Sequence, residues 1–204
     1  MFRRRSPAAV LLALSLVALT GACGASGDDD SSSPEGGDAR TTSGGELIGP
    51  ATEGVDGVQA YRIDSNAHTE ENLTYQPNPP TGGEHFPVPA TCGFYATDAP
   101  TDELIVHDLE HGAIWVAYDP DLADAQVTTL SALVAQQAKV IATPHADLSS
   151  PVVVSAWGRQ LALDSVDDPR LLQFITTYRN SPNAPEPNAA CQGAGAPSVP
   201  SPMA

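Results

Sequence analysis

Hydrophobic patterning in this chain is confined to its middle, and that limits what can fold. Residues Gly24 to Gly54 are rich in Gly, Ser, Asp and Thr, with almost no apolar side chain before Leu47. Such a stretch cannot bury enough surface to offset the entropy of ordering it. It reads as a disordered tether over residues 23–54. The C-terminal residues 183–204 are rich in Pro and Ala and lack any period, so they read as a tail held only at Cys191. Between them, residues 55–182 are of ordinary size for one domain.

The patterns inside that domain alternate between strand and helix periods. "GVQAYRID", "ELIVH", "AIWVAYD", "VIATPH", "PVVVSAWG" and "RQLALD" read as strands. "DPDLADAQVTTLSALVAQQAK" reads as a helix capped by Asp119 or Asp121, with Leu122, Val127, Leu130, Leu133 and Val134 as its apolar stripe. "DDPRLLQFITTYRN" reads as a second, with Asp167 near the cap, Pro169 in the first turn, and Leu172, Ile175 and Tyr178 on one face. This order predicts an α+β two-layer domain: a mainly antiparallel sheet with two helices on one face.

The N-terminus has its own signature. "MFRRRS" is basic, the next sixteen or so residues are apolar, and the run closes on "LTGAC". That resembles a lipoprotein signal of residues 1–22, with Cys23 as the lipidated first residue of the mature chain. The expected location is extracytoplasmic, anchored to the cell membrane through the lipid. Two cysteines then remain, Cys92 and Cys191, and outside the cytoplasm an even pair reads as a disulfide. The formal net charge is −16 and becomes more negative once Arg3, Arg4 and Arg5 are removed. Nucleic acid is excluded as a partner by that charge, which repels phosphate.

Chemistry concentrates in "HDLEHG", His107 to Gly112. Extended, its two histidines would stand about 13 Å apart. In a helix they would be neighbours at about 6 Å, close enough to share an ion at about 2.0–2.1 Å. A tight hairpin turn would also bring them together. Ile105 and Val106 favour a strand up to His107, a helical turn, and a new strand from Ala113. Gly112 serves either compact case. The letters also match the inverted zinc-peptidase pattern, but that pattern needs a continuous helix and a further carboxylate ligand. With His85 and His68, the histidines and Glu110 make a candidate set for a divalent transition metal, zinc or copper(II). Copper(I) on thioethers is excluded, since Met203 is the only methionine beyond the signal. Three functions remain open: an extracytoplasmic binding domain holding a metal on His85, His107, His111, His68 and Glu110; a metal-dependent hydrolase with Glu110 as base; and a surface interaction module whose histidines brace loops.

"NPPTGGEH", "GFY", "ELIVHDLEHGAIWVAYDP" and "SAWGR" together resemble the domain of unknown function 3105, over about His68 to Tyr178. Family sequences usually read Asn-Pro-Pro-Thr-Ser-Gly-Pro-His, where this chain has Gly82 and Glu84. They often carry tryptophan where this chain has Cys92. His85, His107, Glu110 and His111 match. The resemblance implies an exported or membrane-tethered prokaryotic protein whose motifs are built around these histidines, and it implies no particular activity.

Overall fold

A computed structural model describes residues 39–52 and 54–202. The expected signal segment and Cys23 lie outside the described residues. Among those described, no helix is long and apolar enough to cross a membrane. The fold is α+β, with three helices and a mainly antiparallel eight-stranded sheet. Its strands are β2 (Glu46–Pro50), β3 (Gln59–Arg62), β5 (Gly93–Phe94), β6 (Ile114–Tyr118), β7 (Val140–Pro144), β8 (Val152–Ala156), β9 (Arg159–Leu163) and β10 (Val199–Pro200). They lie in the order β10-β5-β7-β6-β8-β9-β3-β2. Only β5–β7 and β6–β7 are parallel. A separate parallel pair joins β1 (Arg40–Ser43) to β4 (Leu73–Gln76).

Every residue of β6 and β8 is buried, because the sheet is covered on both faces. One core holds Ile114, Val116, Val152 and Val154 against α2 (Asp124–Val134) and α3 (Pro169–Tyr178). These are the two expected helices, on one face. The expected stripe of α2 packs there in full. Its cap is not Asp119 or Asp121: the helix starts after Ala123, while Asp119 accepts from Asp121 N–H in the preceding turn. In α3 the cap is Asp168, next to Asp167, and its carboxylate accepts from Arg170 N–H. Leu171, Phe174, Ile175 and Tyr178 face the core, whereas Leu172 is exposed.

The second core contains Trp115, Ala117 and Ile141 with Ile105, Val106 and Leu109. The last three belong to α1 (Asp102–Glu110), a helix where a strand was expected. β-Branched Ile105 and Val106 carry only a weak local preference, and burial of one face against Trp115 overrides it. Asp102 and Glu103 stand in its first turn. Its end is a Schellman motif: Ala113 N–H donates to Asp108 C=O and Gly112 N–H to Leu109 C=O. Gly112 has φ 82°, and a Cβ there would lie 2.9 Å from the Asn180 backbone. Gly112→Ala therefore loses more than about 1 kcal/mol, read as a lower urea midpoint at unchanged m-value. An unchanged midpoint would mean the αL turn is not needed.

Both low-complexity boundaries need correction. Residues 40–50, expected within the tether, form β1 and β2. Most of their side chains are exposed, including Leu47 and Ile48, so the backbone ladder and not an apolar pattern places them. The tail is tied at more points than Cys191. β10 pairs with β5, Ala194 N–H donates to Pro89 C=O, and Glu186 N–H donates to Glu110 C=O. The expected disulfide Cys92–Cys191 is formed, across 99 residues of sequence.

Candidate metal centre

α1 makes the cluster out of one helical turn. His107 and Glu110, three residues apart, fall on one helical face. Two loop histidines come to meet them. His68 and His85 pair through their backbones: Thr69 N–H donates to His85 C=O and His85 N–H to Ala67 C=O. The loop before His85 turns at Gly82 and Gly83, both at positive φ. A Cβ on Gly83 would lie 2.4 Å from Ser43 O, so only glycine lets the loop pass so close to β1. The Tyr75 hydroxyl donates to Glu84 C=O, and Arg40 pairs with both Glu71 and Glu84.

One donor atom each from His68, His85, His107 and Glu110 lies within 4.8 Å of the other three, and the group could hold a metal ion. The rings of His85 and His107 are 5.0 Å apart, and His68 is 4.9 Å and 5.1 Å from them. His85, His107 and Glu110 are buried, while the side chain of His68 is half exposed.

Hydrogen bonds fix which nitrogen faces inward. A carbonyl only accepts, so His85 Nδ1 donates to Gly83 C=O at 2.8 Å and His107 Nδ1 donates to Phe86 C=O at 2.7 Å. Each ring then turns its Nε2 inward. Glu110 Oε1 accepts from Asn66 Nδ2 at 2.7 Å, leaving Oε2 turned to His85 Nε2 at 3.0 Å and to His68 Nε2 at 3.7 Å. Two lone pairs that close repel unless a cation sits between them, either a proton on a fully buried ring or a metal. Burial, more than any neighbour, pushes the His107 imidazole below its ordinary value, which keeps it neutral as a ligand must be.

The structure does not bring all five predicted donors together. His111 is the one that stays apart. Its ring lies 4.5 Å from that of His107, but its Nδ1 donates to Ala190 C=O at 2.7 Å and its Nε2 is 3.6 Å from Glu186 Oε2. It joins the tail to α1. The inverted-peptidase pattern thus meets its helix but not its roles: Glu110 stands among the donors and His111 outside them. Asn66, Gly83 and Phe86 orient the donors and were not singled out from sequence. Two of them act through backbone carbonyls, which no residue letter reports. His145 lies against Trp115 at 5.2 Å, its Nε2 2.6 Å from Asn78 Oδ1, apart from the cluster.

A family described as "Protein of unknown function (DUF3105)" has a model that matches residues 67–193. No curated protein and no solved structure matches the chain.

Proposed function

The chain belongs to the DUF3105 family, and we propose that it is a lipid-anchored extracytoplasmic domain that binds one divalent transition metal, zinc or copper(II), through His68, His85, His107 and Glu110. The approach of His85 Nε2 to Glu110 Oε2 carries the reading, since both atoms face inward and are held there by outward bonds to Gly83 and Asn66. That arrangement is how metal ligands are ordinarily oriented. Three imidazoles and a carboxylate suit zinc or copper(II) and are a poor match for magnesium or calcium. The negative charge of the chain, −16, favours cations in the same direction.

Binding is favoured over catalysis by the same geometry. Four protein donors fill a tetrahedron, and catalytic zinc sites keep one position for water. Glu110, as a donor, is no longer available as the base of a hydrolase. Among the described residues the cluster holds no other carboxylate.

Elemental mass spectrometry of the mature chain, purified without a tag from its host envelope, tests the reading. The expected result is close to one zinc or copper per chain. A metal-free chain that also fails to take up either ion would sink it. The anchor is tested separately: Cys23→Ser should move the protein from the membrane fraction to the soluble one, and an unchanged distribution would remove the lipid from the proposal.

A further inference from the structure

Asp108 follows His107 directly and projects from α1 in a different direction. It is completely buried. Its Oδ2 accepts from Ala90 N–H at 2.9 Å, and its Oδ1 has no hydrogen-bond partner. One of its carboxyl oxygens lies within 4.8 Å of the sulfurs of both Cys92 and Cys191. On the solvent side the same disulfide borders a cavity of about 370 Å³, lined also by Thr91, Lys139, Ala189 and Ser201. Lys139 Nζ donates to His111 C=O and Asn180 Oδ1, and its third N–H remains to attract an anion.

A buried polar atom without a partner keeps the cost of losing water and recovers nothing. A disulfide relieves little of that cost, because it has no proton to donate and its sulfurs are at best weak acceptors. A cysteine thiol can, as a weak donor and a weak acceptor. Reduction would therefore offer the Asp108 carboxyl, one oxygen of which lies within 4.8 Å of both sulfurs, a partner that the oxidised protein denies it.

We propose that Cys92–Cys191 is a thiol-exchange site, opened by a dithiol reductant that enters the cavity, with Asp108 as the hydrogen-bonding partner of the thiol so formed. The first thiolate of the reductant attacks Sγ of Cys191, the slightly more exposed of the two buried cysteines, 9% against 6%. The S–S bond breaks, a mixed disulfide forms, and Cys92 leaves and takes up the proton that the reductant thiol released. The second thiol of the reductant then attacks the mixed disulfide. The reductant leaves as its cyclic disulfide and both cysteines are left as thiols. The fold opposes opening, since it holds the cysteines together, and Asp108 offsets part of that opposition.

The test equilibrates the full mature chain with graded ratios of reduced to oxidised dithiothreitol, traps thiols by alkylation, counts them by mass and follows the fold by circular dichroism. The wild type is expected to open while folded. Asp108→Leu keeps the shape and removes both oxygens; it should need about a tenfold higher ratio for half-reduction, about 30 mV for this couple. Loss of the Ala90 bond in that variant affects both redox states alike and cancels. Asp108→Asn keeps a polar atom at each position and should stay within about threefold of the wild type, since it can still meet the thiol. If Asp108→Leu does not fold, Asp108→Ala carries the same expectation. Ala189→Trp narrows the cavity and should slow opening without moving the midpoint. Opening only at the rate of global unfolding, an unmoved midpoint in the apolar variant, or an unchanged rate in Ala189→Trp would each overturn the proposal.

Discussion

His107→Ala should weaken zinc binding by at least about 100-fold, more than the 10- to 100-fold that loss of an orienting group ordinarily costs. His107 supplies a buried Nε2 from the same helical turn as Glu110, and its Nδ1 bond to Phe86 C=O leaves no other rotamer with equal support. His85→Ala should match it. Asn66→Ala should lose about tenfold, because Asn66 holds Glu110 without touching the ion. His111→Ala is the informative contrast: it should keep binding within about threefold, since the effect on Glu110 is only through the tail. Competition against a chelator of known affinity measures all four. Equal losses in His107→Ala and His111→Ala would contradict the four-donor set. Acid should release the metal only below the ordinary imidazole value of 6.5, because burial lowers the His107 pKa and a proton competes for Nε2 only at lower pH. The same shift gives the folded state a stability contribution that is complete above 6.5 and is lost progressively as pH falls from that value through the lower pKa of the folded protein.

How much of this was legible beforehand differs from element to element. The sheet and the two helices on one face were readable, because β6 and β8 are short continuous apolar runs and α2 and α3 carry apolar residues at helical spacing. α1 was not, because Ile105 and Val106 look like a strand and the signal that reverses them is the remote Trp115 surface. The four clustered side chains, His68, His85, His107 and Glu110, were all identified from residue type and spacing, with His111 as one too many. The turning of His111 away from the cluster was hidden, since it depends on a tail carbonyl 79 residues away. β1, β2 and β10 were invisible for a related reason: they are held by backbone pairing, and an unpatterned sequence carries no trace of that.

Trp115 should be the most costly single truncation in the core beneath α1. It is fully buried, its indole N–H donates to Thr143 Oγ1 at 2.8 Å, and the ring meets His145 edge to face. Trp115→Ala removes the surface on which Ile105 and Leu109 rest and should lower stability by about 3–5 kcal/mol. Trp115→Phe keeps much of the ring but leaves the Thr143 hydroxyl without its donor, so a loss of about 1–2 kcal/mol is expected. Urea unfolding with and without saturating zinc reads both. Because α1 carries two of the four proposed donors and no other helix among the described residues contributes one, zinc release and loss of α1 packing should occur in one transition. A Trp115→Ala protein that loses less than about 1 kcal/mol would show that α1 is positioned by its loops, with the sheet contributing little. Zinc held at full affinity in that variant, with its stability reduced as expected, would show instead that the loop histidines His68 and His85 define the site and that the helix adapts to them.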